Sequence, residues 1–267
     1  MSQALSSVAK EEFDSEVKHA YQGMKTLRDC VTVRNNVIGD KYDFRLMGKG
    51  VATVRTGSSA DVVPMNIAHS LKVATLLDYE APEYTDVYDQ KTVNFSEVQE
   101  LAKTVAGAMG RRDDQAIIAA LAAATVSTAT AATLNLAAIT EAAEKLNKVE
   151  APMEDRYFVT DEIGLNDLLN DSTITSADYN SVRLLQSGEI NSFMGFKWKV
   201  IGSGRAEGGL AATSYAFHKR AIGHAVGIDM QTKVDYVAHK ASWLTMGLWK
   251  AGSVLIDVEG VVKIPRS

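Results

Sequence analysis

Apolar residues at Phe13, Val17, Tyr21, Met24 and Leu27 recur at the spacing that lines one helical face, while Glu11, Glu12, Glu16 and Lys18 fall outside it. The pattern predicts an amphipathic amino-terminal arm whose apolar stripe needs cover from its own domain or from another chain. From about Val31 the period shortens. "KYDFRLMG", "GVATVRT" and "LKVATLLDY" read as β-strands, separated by the turn formers of "MGKG", "TGSSAD" and "PMN". Asp40 to Glu80 is therefore expected to form a long two-stranded excursion, and a lone hairpin is only marginally stable in water.

A helical period returns at "NFSEVQELAKTVAGAMGRRDDQAIIAALAAA", where Val98, Leu101, Ala102, Val105, Met109, Ile117, Leu121 and Ala124 mark one buried face. Asn94 with Glu97, or Ser96 with Gln99, supplies a capping box, and Ser96 to Ala124 would span roughly 40 Å. Gly107 and Gly110 near its centre give either a bending point or a close-packing site. A short helix is expected at Ile139 to Lys148, a strand at "RYFVT", a helix near "EIGLNDLLN" and a loop at "STITSADYNS". "GFKWKVIG" alternates, with Phe196, Trp198 and Val200 on one face and Lys197 and Lys199 on the other. Further β-like runs at Ala216 to Val226, Thr232 to Val237 and Val254 to Ile264 make the chain mixed α+β, without internal repeats.

Composition narrows the class. Apolar residues form 46 % and charged residues 23 % of the 267 residues, an ordinary balance for a globular protein. Cys30 is the single cysteine, so an intrachain disulfide is excluded, and the polar start "MSQALSSVAKEEFDSEVKHAYQ" lacks a signal peptide's apolar stretch; folding in a reducing compartment is expected. The most apolar run, Ala116 to Ala138, is chiefly Ala and Thr and suits packing on protein better than on lipid. The net charge of −5 argues against a nucleic-acid reader held by phosphate contacts. Charge is uneven: Glu141 to Asp171 holds nine acids against three bases, whereas His218 to Lys240 holds four Lys/Arg against two Asp.

No catalytic constellation emerges. His218 and His224, in "AFHKRAIGHA", are six positions apart, wrongly spaced for a helical metal pair and about 20 Å apart on a strand. They read as polar surface or interface residues, with Phe217 and Ile222 inward and Lys219 and Arg220 toward solvent or a neighbour. "GSGRAEGG" (202–209) misses the dinucleotide spacing and the P-loop lysine, and reads as a flexible connector. "APEYTDVYD" gathers acids and tyrosines with no base or metal beside them. Catalytic residues, cofactor and metal are each expected to be none.

The order of arm, long β excursion, beam helix, compact α/β region and closing strands resembles the major capsid protein of tailed bacteriophages. "FRLMGKGVATVRTGSSAD" followed by "HSLKVATLLDYEAPEYTDVYDQ" looks like the extended E-loop and its return in coat proteins of short-tailed, podovirus-like phages. "EDRYFVTDEIGLNDLLND", "TSADYN", "GEINSFMGFKWKVIGSG" and "SYAFHKRAIGHAVG" resemble, in that order, the body of the same family, so that the likeness runs from about Leu27 to Ile264.

The resemblance implies a Hong Kong 97-type α+β fold: an N-terminal arm at 1–39, an E-loop at 40–80, a peripheral P domain with its spine helix at 81–125, an axial A domain at 126–227, a P-domain return at 228–249 and a C-terminal A-domain strand at 250–267. It implies a non-enzymatic shell subunit that assembles with itself into hexamers and pentamers and closes an icosahedral head around double-stranded DNA, with expansion from precursor to mature form. The implied partners are a separate scaffolding protein, a portal protein, an optional decoration protein and packaged DNA in weak non-specific contact, with no membrane; the implied location is the virion, after assembly in the host bacterial cytoplasm. Assembly residues expected on this basis are Phe13, Val17, Tyr21 and Met24 in the arm, Arg45, Lys49 and Arg55 in the E-loop, and Gly107 and Gly110 in the spine helix. Lys41 and Lys49 also lie in the E-loop, yet no Lys–Asn cross-link is expected. The alternative is a cellular nanocompartment shell of the same fold that encloses cargo enzymes.

Overall fold

The structure, a computed structural model, describes residues 25–59, 61–92, 96–171, 192–205 and 208–266. Phe13, Val17, Tyr21 and Met24, the capping residue Asn94 and all of "STITSADYNS" lie outside the described residues. In chain order the elements are β1 (Thr32–Arg34), β2 (Lys41–Met47), β3 (His69–Thr75), β4 (Leu77–Asp86), α1 (Val87–Thr92), α2 (Glu97–Ala122), α3 (Leu136–Lys148) and β5 (Arg156–Thr160). There follow α4 (Glu162–Asn170), β6 (Ser192–Phe193), β7 (Phe196–Val200), β8 (Thr213–His218), β9 (Ile222–Val237), β10 (Ser242–Leu255) and β11 (Val261–Pro265). The strands form a five-stranded sheet, β11-β8-β5-β7-β6, a four-stranded sheet, β1-β9-β10-β4, and the β2-β3 hairpin.

The five-stranded sheet is covered on both faces, which explains why "RYFVT" shows no polar alternation: all five of its residues are buried. Phe158, Ala216, Val262 and Ile264 point to the side of α3, where they pack with Ile139, Ala142 and Leu146. Their strand neighbours Tyr157, Val159, Tyr215, Phe217 and Val261 point the other way and meet Ile117, Ile118 and Leu121 of α2. Asn135 starts α3 by accepting a hydrogen bond from Ala138 N at 2.9 Å, and Asp161 starts α4 by accepting one from Gly164 N at 2.8 Å. In β7, Phe196 and Trp198 face inward as their spacing predicts, and Trp198 stacks on Phe158 with ring centroids 4.1 Å apart. Val200 does not follow them. It is 38 % exposed because the strand ends there, and Ile201, fully buried, takes the inward place while its N–H donates to Thr160 O.

Helix α2 joins the two sheets. Its second half belongs to the core just described, whereas Val105 and Met109 in its first half pack on Val226, Trp249 and Ala251 of the four-stranded sheet. The approach is close because β10 carries a glycine beneath it: a Cβ on Gly247 would lie 2.6 Å from Val105 Cγ1. Val98, Leu101 and Ala102 are half-buried, so the predicted stripe is covered fully only from Val105 onward. Ser96 holds the N-cap backbone conformation but its side chain makes no capping bond, so the Ser96–Gln99 box does not form. The helix ends at Ala122 rather than Ala124.

Two strand expectations change. "GVATVRT" is irregular, because the β2-β3 ladder stops at the Met47↔His69 pair and the segment beyond it has no strand to bond. The run Ala216 to Val226 is two strands in two different sheets. A single 3-10 turn at Lys219–Ala221 carries the chain from β8 to β9, and Leu255 to Val261 makes the matching crossing between β10 and β11.

Candidate assembly surfaces

The hairpin of β2 and β3 is fixed at its base, and beyond it the apolar side chains are exposed among the described residues. Phe44, Ala74 and Leu76 pack against Ala225 and Ile256, and two glycines permit the contact. A Cβ on Gly223 would lie 2.7 Å from the Phe44 ring, and one on Gly252 only 2.0 Å from Thr75 O. Lys250 Nζ adds an ion pair to Asp40 at 2.6 Å, on the outer side of the same base. Past Met47 and His69 the loop exposes Val51, Val54, Val62, Val63 and Met65, with Val54 and Val62 more than 90 % exposed. An apolar series of this kind needs a partner surface.

The three cations Arg45, Lys49 and Arg55 are not brought together. Arg45 stands opposite Leu71 on β2, at the edge of a cleft it shares with Lys219 and Arg220. Lys49 Nζ donates to Val149 O at 2.9 Å, and Arg55 donates to Ser58 O inside the loop. In α2, Gly107 is half-buried, and Gly110 is packed so closely that a Cβ would lie 3.2 Å from Lys25 N.

Beside Gly110 lies an acidic pair that is absent from the sequence expectations. Asp113 and Asp114 are both fully buried. Asp114 accepts from Thr26 N at 2.9 Å, Thr26 Oγ1 at 2.9 Å and Leu27 N at 2.9 Å, and is paired with Arg205, which comes from the "GSGRAEGG" loop. This clasp ties the start of the described chain, α2 and the loop that follows β7 at one point. Arg205, together with the Ser203–Glu162 hydrogen bonds, anchors the loop that the sequence presents as a flexible connector. The signal was available: "RRDDQ" sets two acids between Met109 and Ile117 within the apolar face of α2.

Asp113 faces His224, whose Nε2 lies 3.0 Å from Asp113 Oδ1, while His224 Nδ1 lies 2.8 Å from Ser253 Oγ. The carboxylate and Nε2 are poorly aligned, and neither Asp113 oxygen, His224 Nε2 nor Trp249 Nε1 has a hydrogen-bond partner among the described residues. The surface or interface reading of the histidines is thus overturned. His224 is fully buried because β9 lies beneath α2, and His218 is buried where β8 ends, its Nδ1 accepting from Arg220 N at 3.2 Å. Burial, followed by the charge of Arg220, lowers the pKa of His218 and keeps the ring neutral. Phe217 and Ile222 are inward, Lys219 is half-buried and Arg220 is exposed. Among the described residues no cluster of three His, Cys, Asp or Glu is placed to hold a metal, and no helix is long and apolar enough to cross a membrane. "APEYTDVYD" closes β4 and opens α1, with Tyr84 beneath Lys240 and Tyr88 exposed.

Comparison with known proteins agrees with this geometry. A family model described as phage capsid protein matches residues 5–266. The capsid structure of cyanophage P-SCSP1u is similar with a TM-score of 0.78 at 17 % identity, covering 100 % of this chain and 95 % of that one. A structure from Mycobacterium phage Che8 gives 0.76 at 17 % identity, with 96 % and 97 % covered. The capsid of a native GTA particle gives 0.70 at 17 % identity, with 97 % and 96 % covered. No curated protein matches the sequence. The fold is of the Hong Kong 97 type, and these matches do not favour a nanocompartment shell.

Proposed function

The chain belongs to the phage capsid protein family and is a major capsid protein of the phage head, and from that premise we propose that it closes an icosahedral shell of hexamers and pentamers around double-stranded DNA. In this reading residues 1–39 are the arm, 40–80 the E-loop, 81–125 and 228–249 the P domain, and 126–227 with 250–267 the A domain. The shell forms in the host cytoplasm on a separate scaffolding protein, takes a portal protein and, where present, a decoration protein, and expands on maturation.

The observation that carries the reading is the loop beyond β2 and β3: anchored through Phe44 and Gly252, it exposes a valine series that no described residue covers. Its charge supports a neighbour as the cover. Lys41 to Thr75 holds five Lys/Arg against two Asp, whereas Leu77 to Thr92 holds five acids against one lysine. A basic loop meeting an acidic strip on the next copy is a head-to-tail contact, and such contacts form rings where the rotation between copies closes. Arg45, Lys49 and Arg55 would act in this contact, the arm residues Phe13, Val17, Tyr21 and Met24 in a second one, and Gly107 and Gly110 in the packing of the spine helix. Electron microscopy of the expressed chain, alone and with its neighbouring gene products, is expected to reveal closed shells that package DNA. Monomers alone under every combination would refute the proposal.

A further inference from the structure

At the base of the E-loop lies a cleft of about 590 Å³ with an apolar floor of Phe44, Leu46 and Ile256 and a rim that carries Arg45, Lys219 and Arg220. None of these three cations has an ion pair among the described residues, although each is free to reach solvent. Two carboxylates also line the cleft. Asp155 is neutralised by Lys197 at 2.7 Å, which leaves three positive charges against Glu154. Such a site suits a segment with several carboxylates around one large apolar side chain.

The chain contains such a segment. Glu11-Glu12-Phe13-Asp14-Ser15-Glu16 has four acids, no base and one aromatic residue. We propose that the cleft receives this acidic segment from the arm of a neighbouring copy, with Phe13 on the apolar floor and its flanking carboxylates on Arg45, Lys219 and Arg220. The proposal rests on the shell reading and names where the arm lands.

The path of the chain favours a neighbour over the subunit's own arm. From Lys25 against Gly110 the chain passes through Thr26 and Leu27, clasped by Asp114, to Thr32, whose hydroxyl donates to Lys219 O at 3.1 Å beside the cleft. The arm is therefore held at the α2 end of this path, and the chain approaches its own cleft only downstream of the clasp. Phe13 is twelve positions from Lys25, a reach of roughly 40 Å when extended. As the helix that its spacing predicts, the same stretch covers roughly 18 Å, comparable to the radius of gyration of about 18 Å for a compact chain of this length, so an arm that leaves from the α2 end has the length to meet an adjacent subunit.

Two experiments test the landing site. In oxidised particles of the Phe13→Cys/Leu46→Cys variant, a denaturing non-reducing gel is expected to resolve a ladder of covalent oligomers that neither single variant produces. Cys30 stays out of this chemistry, since burial pushes its thiol up to about 11. Only unlinked monomer, or monomer bridged within itself, would overturn the proposal. Independently of particles, a fluorescent peptide of residues 8–20 is expected to bind the full chain saturably. Lys219→Glu/Arg220→Glu should weaken it at least tenfold, and a Glu11→Lys/Glu12→Lys peptide should regain binding to the charge-reversed chain. Shells without cross-links or peptide binding would sink the landing site alone, and peptide binding without shells would sink the shell reading alone. If charge reversal removes co-purifying DNA while peptide binding is unchanged, the cleft is a phosphate site and the proposal fails.

Discussion

Replacing Asp114 by alanine removes three hydrogen bonds to Thr26 and Leu27 and the carboxylate that faces the buried guanidinium of Arg205. Each hydrogen bond to a charged group contributes about 1.5–3 kcal/mol, and breaking a buried ion pair by deleting one partner costs about 3–5 kcal/mol. These terms share one carboxylate and do not add, so about 4 kcal/mol is the expected loss, with roughly half that for Asp114→Asn, which keeps the shape. Against a total of about 5–15 kcal/mol the alanine variant would be only marginally folded. Urea unfolding of the unassembled subunit, followed by the fluorescence of Trp198, Trp243 and Trp249, is the assay. With a slope of about 3 kcal/mol per molar, the midpoint should fall by about 1.3 M. The Arg205→Met and Asp114→Asn single variants and their combination should be non-additive by at least about 1 kcal/mol. A midpoint shift below about 0.2 M for Asp114→Ala would refute the idea that the clasp holds Thr26–Leu27, α2 and the Arg205 loop together.

Three further outcomes follow from the packing. Gly252→Ala, whose Cβ would sit 2.0 Å from Thr75 O, should displace the hairpin base; protease cleavage within residues 48–68 should accelerate and the unfolding free energy fall by about 1–3 kcal/mol. At the Asp113–His224 contact, Asp113→Ala or His224→Ala alone leaves the other buried polar group without its neighbour and should cost about 1–3 kcal/mol, whereas Asp113→Leu/His224→Leu should be less damaging than either, as calorimetry of the three variants will establish. For His218 the folded-state pKa is depressed, so the unfolded chain binds the proton more readily between that value and the ordinary pKa of about 6.5. Stability should therefore fall as pH drops below about 6.5, and His218→Gln should flatten that slope in urea titrations across the window; an unchanged slope would show that the ring is not held neutral.

Much of the architecture was legible because local pattern and final packing agree. The α2, α3 and α4 helices, the β5 and β7 strands and the two-stranded excursion all follow from periodicity, with Asn135 and Asp161 as working N-caps. The misses share a cause. Asp114 carried no mark in the helical pattern, and Arg205 read as part of a flexible connector, because Asp114 meets Thr26 and Arg205 from 88 and 91 positions away along the chain. His218 and His224 looked exposed because only the placement of β9 under α2, and the turn at Lys219–Ala221, bury them.

What the sequence determined by itself is therefore the set of elements and the direction of their apolar faces, since these depend on residues three to four apart in helices and two apart in strands. It also determined that the excursion from Asp40 to Glu80 could not stand alone. Tertiary structure decided which strands share a sheet, where the chain crosses between sheets and which charged groups lie buried together. Those choices depend on contacts between segments far apart in the chain, such as Gly252 against Thr75 and Asp114 against Arg205. Periodicity carries no trace of such contacts, because each side of the pair looks ordinary until the other is beside it.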